Sequence, residues 1–230
     1  NFEMEEYLMK IVSWNCNGAF RKKFNILNEL NADIYIVQEC EDPNKTDAAS
    51  YKQFANNHIW IGHGHKGLGI FARDSIPLKN NNWPNYGLEY FLSCRVDDKF
   101  NLLGIWGCNN YIEDIHTYVQ IHKHNLENCI VGGDFNSNAI WNKGHKRRNH
   151  SAVVNDLKSA GLDSAYHVLN KEIQGCETQN TFYLYRHQNR SFHIDYFFCP
   201  TTILQSFEIK PYEKWINYSD HIPIMVEIDV

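Results

Sequence analysis

Short apolar runs separated by polar segments make up most of the chain, and these runs have the composition of β-strands. Runs of about four to eight residues rich in Val, Ile, Phe and Tyr, bounded by Gly, Asn, Asp or Pro, are typical of strands. Such segments recur along the sequence, among them residues 9–14, DIYIVQE, HIWIGHG, GLGIFAR, EYFLSCRV, FNLLGIWGC, NCIVGGD, NTFYLYR, SFHIDYFFC, TTILQSFEIK and IPIMVEIDV. We therefore predict about a dozen strands in a sheet-rich core.

Three segments have helical periodicity instead. In FRKKFNILNEL, apolar residues recur at i, i+4 and i+7, and residues 113–126 form a second amphipathic stretch. The third, NHSAVVNDLKSAGL, opens with Ser151 as a plausible N-cap and ends at Gly161. Because strands outnumber helices by more than a Rossmann pattern allows, we predict an α/β sandwich of two packed sheets with the helices outside.

Length and charge limit the domain count and the partners. A chain of 230 residues suits one large domain, and we assign residues 9–230 to it, with residues 1–8 as an N-terminal extension. Net charge is −5 and the isoelectric point is near 6.2, so a nucleic-acid partner must meet a local basic patch. The sequence has no apolar stretch near the roughly 20 residues that a membrane span needs.

The cysteines indicate a reducing compartment. There are seven, none in CxxC spacing, and most lie in or beside apolar runs, as buried free thiols do. The first residues, NFEMEEYLMK, are acidic and do not resemble a signal peptide. We expect a cytoplasmic protein.

Polar residues that no core needs stand repeatedly where an apolar strand ends or begins. Acidic side chains are rarely buried unless they are paired, so carboxylates, amides and an imidazole in such places could converge on one sheet edge. Oxygen ligands gathered in this way are typical of a divalent-metal site for phosphoryl transfer. The residues are Asn15, Asn17, Gln38, Glu39, Asn109, Asp134, Asn136, His193, Asp195, Asp220 and His221.

The segment VGGDFNSN shows this pattern most clearly. Gly132 and Gly133 allow backbone conformations that other residues resist, and Asp134 and Asn136 are spaced to share one face. A carboxylate beside an amide suits activation of a water or binding of a developing oxyanion. An ordinary Asp/Asn turn after a strand is the alternative.

The motifs SWNCNG, QE, GDFNSN, HIDY and SDH, in this order, resemble the endonuclease/exonuclease/phosphatase superfamily. The resemblance extends from Met9 to Val230 and is greatest with a compact bacterial group described as nuclease-like. It implies an α/β fold in the form of a four-layer sandwich, in which two packed mixed β-sheets are flanked by helices.

The resemblance also implies roles for individual residues. Mg²⁺ or Mn²⁺ would be held by Glu39, with Asn15 and Asp220. Asp134 would orient or deprotonate the attacking water, and Asn136 would bind a phosphate oxygen. His221, held by Asp195, would contact the scissile phosphate, and Asn109 matches a further substrate-contacting Asn. We expect these side chains to project from strand ends into solvent.

Two positions depart from the abasic-endonuclease branch of the superfamily. Asn17 stands where that branch has an Asp, and Trp106 stands where it has a phosphate-contacting Tyr. These differences argue against repair of abasic sites and leave hydrolysis itself intact.

One basic cluster, Lys143, Lys146, Arg147 and Arg148, follows GDFNSN closely. Beside a metal site we expect it, together with His150 at the start of the next helix, to contact the phosphate backbone. A solvated loop is the alternative. We also expect Lys66 to lie near the active edge.

The favoured function is that of a Mg²⁺-dependent nuclease, acting on DNA with low sequence specificity. A phosphatase or phosphodiesterase acting on a small molecule or lipid headgroup is the alternative, because the same residues would serve it. A non-enzymatic binding module is less consistent with the sequence, because it has no need of Glu39, Asp134, Asp195 and His221 together.

Overall fold

A computed structural model describes residues 7–230. Its strands, in chain order, are β1 (Leu8–Asn15), β2 (Ile34–Cys40), β3 (His58–His63), β4 (Lys66–Ala72), β5 (Leu78–Asn80), β6 (Phe91–Val96), β7 (Phe100–Trp106), β8 (Cys129–Asp134), β9 (Asp163–Ser164), β10 (Phe182–Tyr183), β11 (Ser191–Phe192), β12 (Asp195–Cys199), β13 (Leu204–Ile209) and β14 (Ile224–Asp229). Most of the extension assigned to residues 1–8 lies outside the described residues. Leu8 already belongs to β1, where it pairs with Asp229.

The helices are short. The α-helices are α1 (Ala49–Phe54), α2 (Ile112–Ile121), α3 (His150–Ser159), α4 (Ala165–Asn170) and α5 (Tyr212–Trp215). Turns of 3-10 helix lie at Phe20–Lys22, Phe24–Leu30, Pro43–Lys45, Lys123–Asn125, Ala139–Gly144 and Leu184–Arg186. None of the helices within residues 7–230 has the length and apolar character needed to cross a membrane.

Two six-stranded mixed sheets form the body of the protein. The strand orders are β13-β14-β1-β2-β4-β3 and β5-β6-β7-β8-β12-β9, with β10 and β11 as a separate ribbon. In each sheet the two central strands run parallel, β1 with β2 and β7 with β8. The prediction of an α/β sandwich of two mixed sheets is confirmed.

Three apolar clusters define four layers. The central one lies between the sheets, where glycines in β7 and β8 allow close approach: a Cβ added at Gly104 would lie 3.0 Å from Ile36 Cγ2. The second cluster covers the outer face of the first sheet with residues such as Trp14, Tyr51 and Trp215. In the third, α2 and α3 cover the outer face of the second sheet.

The predicted helix over FRKKFNILNEL is wrong in type. The segment forms two 3-10 turns that meet at Lys23. The Lys23 ammonium donates to the carbonyl oxygens of Cys16 and Tyr218, the latter at 2.7 Å. This tertiary anchor, and the left-handed backbone of Ala19 and Asn31 at the two ends, replace a regular α-helix although Phe20 and Leu27 are buried as predicted.

Two other boundaries differ from the prediction. The N-cap of α3 is Asn149, whose side chain accepts from the Ala152 N–H at 2.9 Å, and Ser151 lies inside the helix. The stretch NTFYLYR contributes only the two-residue β10, because its last three residues turn into 3-10 helix.

Candidate active site

The central strands of both sheets end at one edge of the sandwich. In the second sheet Asp134, at the end of β8, lies opposite Asp195 at the start of β12. In the first sheet Asn15 ends β1 beside Gln38 of β2. The Asn15 Nδ2 donates to Asp134 Oδ2 at 2.9 Å, so this contact joins the two sheets. The predicted convergence at one edge is present for these residues.

Gly133 fixes the direction in which Asp134 leaves the strand. Its φ is +152°, and a Cβ there would lie 1.9 Å from the Ile105 carbonyl oxygen. One residue later Asp134 Oδ1 accepts from the backbone N–H of Asn136 at 2.8 Å, and Asn136 itself has a left-handed φ of 46°. The Asp/Asn turn that was the alternative interpretation is thus real, and it is what places the two side chains together.

A carboxylate–imidazole–carboxylate array forms the centre of the site. His221 Nδ1 lies 3.0 Å from Asp195 Oδ2, and its Nε2 lies 3.8 Å from Asp134 Oδ2. The Thr181 hydroxyl donates to Asp195 Oδ2 at 2.6 Å and accepts from the backbone N–H of Asp195. The imidazole is therefore held by Asp195, which is held in turn by Thr181.

These residues do not project into solvent, contrary to our expectation. Asp134, Asp195 and His221 are 0%, 1% and 5% exposed. The β10–β11 ribbon covers His221, because Phe182 forms a β-bridge with it and packs its ring 4.6 Å from the imidazole. The burial of His221 could not be predicted from its position beside a strand, because Phe182 is 39 residues away in the sequence.

Burial and neighbouring charges determine the protonation states. Burial raises the pKa of Asp134, and the nearby Asp195 carboxylate raises it further, while His221 and the Asn15 amide oppose the shift. Burial alone would lower the pKa of His221, but the carboxylates of Asp195 and Asp134 outweigh it and the pKa is raised. His221 is thus an imidazolium at neutral pH, able to donate from Nε2 to a phosphate oxygen or a leaving group.

Glu39 lies at the same edge on a distorted strand. Its φ is +62°, and the β2–β4 register shifts between Gln38 and Cys40. Such a bulge re-aims a side chain, and strained backbone of this kind is common at functional sites. The Asn15 Nδ2 lies 3.3 Å from Glu39 Oε1, and Lys66 forms an ion pair with Oε2. Lys66 therefore lies at the same edge as Glu39, where we expected it.

A group of three residues and the single carboxylate of Glu39 could each bind a divalent cation. Oxygen and nitrogen atoms of Asp134, Asp195 and His221 lie within 4.8 Å of one another. In this trio both ring nitrogens of His221 already face a carboxylate oxygen, Nδ1 at 3.0 Å from Asp195 and Nε2 at 3.8 Å from Asp134. Glu39 has a partly exposed carboxylate, and a hard cation such as Mg²⁺ prefers oxygen. Its carboxylate fits the ion better.

The other predicted metal ligands present different atoms. Asn15 Oδ1 accepts from the Asn17 N–H at 3.0 Å, so the amide nitrogen of Asn15, not its oxygen, faces the carboxylates. Asp220 is half-buried, and its Oδ1 lies 3.4 Å from the Ser219 hydroxyl. That hydroxyl also donates to the Asn15 carbonyl oxygen at 2.7 Å, which fixes the Asp220 loop against β1.

Outside the carboxylate–imidazole–carboxylate array, all the predicted substrate-contacting residues but His150 are exposed or partly exposed. Asn109, Lys143, Lys146, Arg147 and Arg148 are exposed. Asn109 donates to Glu89 at 2.9 Å, and both amide hydrogens of Asn136 are engaged, by the Gly107 carbonyl oxygen at 2.9 Å and by Asp134 at 3.1 Å. Arg148 forms an ion pair with Glu113.

His150 does not lie on the surface with the basic run. It is 1% exposed, and its ring nitrogens contact the Ser137 hydroxyl at 3.3 Å and Gln174 Oε1 at 3.0 Å. Burial lowers the pKa of His150 to about 4, so it is neutral near pH 7. The prediction that it contacts a phosphate is not supported by this position, because the side chain faces the interior.

Several residues that organise the site carried no sequence signal. Thr181 lies outside every motif, and Asn138 was only part of GDFNSN. The Asn138 amide donates to Glu177 at 3.1 Å and to the His193 carbonyl oxygen at 2.9 Å, and so ties the loop that follows β8 to the segment before Asp195. Only a three-dimensional structure brings these distant residues together.

Comparison with known proteins agrees with this geometry. The profile of the Endonuclease/Exonuclease/phosphatase family matches residues 12–221, and the chain belongs to this family. The predicted superfamily is confirmed, and with it the prediction of a phosphodiester hydrolase. None of the curated proteins matches the sequence.

Solved structures share the fold at low sequence identity. A 3′ phosphatase, NExo from Neisseria, bound to a product DNA hairpin, has a TM-score of 0.71 and 18% identity over 96% of this chain and 100% of that chain. An AP endonuclease from Archaeoglobus fulgidus has a TM-score of 0.69 and 17% identity, covering 96% and 100%. D. rerio TDP2 complexed with a single-strand DNA product has 0.66 and 16%, covering 98% and 100%.

Proposed function

We propose that the protein is a Mg²⁺-dependent nuclease that hydrolyses phosphodiester bonds of DNA with low sequence specificity. The observation that carries this proposal is the array of Asp195, His221 and Asp134, with Glu39 joined to it through Asn15. It combines a buried base, a cationic acid and an oxygen ligand at one edge, which are the groups that displacement at phosphorus requires.

Each residue of the array has a distinct task. Asp134, with its pKa raised by burial, accepts a proton from the attacking water near neutral pH. The His221 imidazolium binds a phosphate oxygen through Nε2, while Asp195 and Thr181 fix the ring. Asn136 orients Asp134 through the hydrogen bond from its Nδ2 to Asp134 Oδ2. When substrate binds, the same N–H group would donate to a phosphate oxygen instead.

Glu39 would hold the metal ion, with Asp220 as a further candidate. Asn15 would offer its oxygen only by giving up the Asn17 N–H and turning its amide. A bound Mg²⁺ supplies positive charge that offsets the charge developing on the phosphate oxygens. Mn²⁺ is the expected substitute, because it accepts the same oxygen ligands. Lys66 balances the Glu39 carboxylate in the structure and can move onto a phosphate oxygen.

Surface chemistry supports a polynucleotide substrate. Lys143, Lys146 and Arg147 are exposed just beyond the catalytic loop, in a chain of net charge −5. Trp141, 37% exposed, precedes them and packs its ring 5.0 Å from Phe192. Cations beside an exposed aromatic ring are typical of surfaces that follow a phosphate backbone. The DNA named with the structural neighbours is consistent with this substrate.

Asn17 distinguishes the proposal from abasic-site repair. It is exposed, has a φ of 53°, and uses its backbone N–H on Asn15. An amide here supplies no negative charge to a metal ion. We therefore infer a general nuclease rather than a repair enzyme, working in the reducing setting that seven free thiols suit.

One set of incubations tests the proposal. Purified protein with Mg²⁺ or Mn²⁺ is mixed with supercoiled plasmid, labelled single-stranded DNA, RNA and a generic phosphomonoester. We expect cleavage of DNA, none in EDTA, and little release of phosphate from the monoester. Turnover of the monoester with intact DNA and RNA would instead assign the protein to small-molecule phosphatases.

A further inference from the structure

A groove of about 600 Å³ lies between the edges of the two sheets. Its floor includes Trp60 to His63 of edge strand β3 and Phe91 to Ser93 of β6, and its wall is the loop from Asn80 to Tyr90. A volume between about 300 and 1,000 Å³ is typical of a site for a small molecule or for one part of a larger ligand.

Two routes connect this groove with the active site, and both end at Glu89. Asn136 binds the Gly107 carbonyl oxygen, and two residues later Asn109 donates to Glu89 at 2.9 Å. On the other side Lys66, paired with Glu39, lies opposite His63 in the β3–β4 hairpin, and His63 Nε2 lies 3.4 Å from Glu89. The groove therefore opens beside the residues expected to hold the metal ion and the phosphate.

The lining is aromatic and polar, includes the Glu89 carboxylate, and is not cationic. Trp60, Trp83 and Tyr90 contribute rings, and of the described lining residues none is Lys or Arg. Because phosphate groups need cations or backbone N–H clusters, this composition does not suit a phosphate. It suits a flat group with polar edges.

The Trp83 ring is held rigidly. His122, which is 4% exposed, stacks on one face with ring centroids 5.3 Å apart. The Asn125 amide donates to His122 Nδ1 at 3.3 Å, so Nε2 carries the proton and donates to the Pro84 carbonyl oxygen at 2.8 Å. The remaining surface of Trp83 lines the groove as a preorganised stacking platform.

Three asparagines of the wall keep unpaired polar atoms. Within residues 7–230, Asn80 and Asn85 use their Oδ1 atoms on backbone N–H groups, at 2.8 and 3.2 Å, which leaves both Nδ2 groups to donate. Asn82 uses its Nδ2 on the Asn80 carbonyl oxygen at 3.2 Å, which leaves its Oδ1 to accept. Donors and acceptors beside a ring match the edge of a nucleobase.

We propose that this groove binds one nucleobase of the substrate polynucleotide, stacked on Trp83 and contacted by the asparagine amides, while the adjoining phosphate lies at the active site. The proposal rests on the proposed nuclease function and adds a subsite to it. Such a subsite favours single-stranded or end-frayed substrates, because the base must leave a duplex stack to enter.

The test uses short single-stranded oligonucleotides in which one base at a time is replaced by hydrogen near the mapped cleavage point. For the parent, KM should rise about tenfold when one particular base is missing, the effect of losing one base–aromatic stack. Trp83→Leu should raise KM similarly for the complete oligonucleotide and make it insensitive to the missing base. Trp83→Phe should restore both.

Tyr86→Leu is the matched control, since Tyr86 is 71% exposed in the same loop and does not line the groove. It should behave as the parent. Equal KM values for the parent and Trp83→Leu, or no base whose removal matters, would overturn the groove assignment while the nuclease function stands. Failure of the parent to cleave any oligonucleotide, with hydrolysis of bis(4-nitrophenyl) phosphate retained, would overturn the proposed function and the subsite with it.

Discussion

His221 and Asp134 are 5% and 0% exposed, with His221 Nε2 3.8 Å from Asp134 Oδ2, and this burial affects what a substitution would do. His221 lies behind Phe182, and Asp134 is buried at the end of β8. Replacing either side chain should therefore affect the stability of the fold. Because the His221 cation is balanced by two carboxylates, removing any one member leaves a buried charge without its partner.

We predict that Asp134→Asn and His221→Ala each lower turnover by at least about 10²-fold, the scale of a positioned acid or base. Both substitutions should also lower the melting temperature. A substitution of a solvent-exposed residue at a strand end would leave it unchanged. Turnover of labelled DNA and thermal unfolding of the same preparations give the two readouts. Normal cleavage by both variants would contradict the assignment of the array.

Thr181→Val should damage the site without touching a reacting group. The hydroxyl that this substitution removes donates to Asp195 and accepts from the N–H groups of Ile194 and Asp195. Leaving these buried groups unpaired should lower the free energy of unfolding by about 1–3 kcal/mol. Because Asp195 then holds His221 less well, we also expect slower turnover.

Thr181→Ser retains the hydroxyl and serves as the control for that experiment. Chemical denaturation and steady-state kinetics of the two variants should therefore separate loss of the hydrogen bonds from loss of the methyl group. Equal stability of Thr181→Val and Thr181→Ser would show that the hydroxyl does not hold Asp195.

Helix α3 carries a pH-dependent contribution to stability. His150 begins the helix, and burial lowers its pKa to about 4. The unfolded chain, with an ordinary histidine pKa, binds the proton first as the pH falls. The free energy of unfolding therefore declines on acidification, by about 2 kcal/mol from this group between pH 7 and pH 5.

His150→Gln should remove that part of the pH dependence. Urea unfolding gives the free energy of unfolding of parent and variant at pH 7 and pH 5. The change between the two pH values should be smaller in His150→Gln than in the parent. His193, whose pKa is also lowered by burial, keeps its own contribution in both proteins. An unchanged pH dependence in His150→Gln would mean that the imidazole is not buried in its neutral form.

Strands were predicted more reliably from the sequence than the other elements. The apolar runs identify β1, β2, β7 and β8, because almost every residue of these strands is buried and the buried residues are consecutive in the sequence. The two 3-10 turns at Phe20–Leu30 depend on an anchor between Lys23 and Tyr218, which are distant in sequence. Long-range hydrogen bonds of this kind leave no local periodicity, and the same holds for the hydrogen bond between Thr181 and Asp195.

On the scale of the whole molecule, charge is unevenly placed. The chain is net acidic, yet Lys143, Lys146, Arg147 and Arg148 lie together and exposed beyond the loop that carries Asn136. If these side chains bind backbone phosphates, neutralising each of them lowers the salt slope of DNA binding by about one unit. Arg148 should contribute least, because Glu113 already pairs with it.

Neutralising all four residues should weaken DNA binding far more than hydrolysis of a small phosphodiester. Binding measured at several salt concentrations gives the slope. A control variant neutralises four exposed lysines on other elements, Lys52, Lys99, Lys123 and Lys158. If both variants showed the same slope as the parent, the basic run would be an ordinary solvated loop.

If Glu39 brings a divalent metal ion to the buried acid–base array, Glu39→Gln should remove most of the activity. The substitution keeps the size of the side chain and removes the charge that a hard cation requires. DNA cleavage is measured across a titration of Mg²⁺, with circular dichroism to verify the fold. We predict that the variant is folded, loses most activity, and needs far more Mg²⁺ for what remains, while the parent is inactive in EDTA. Full activity of Glu39→Gln in EDTA would mean that hydrolysis needs no metal ion at Glu39.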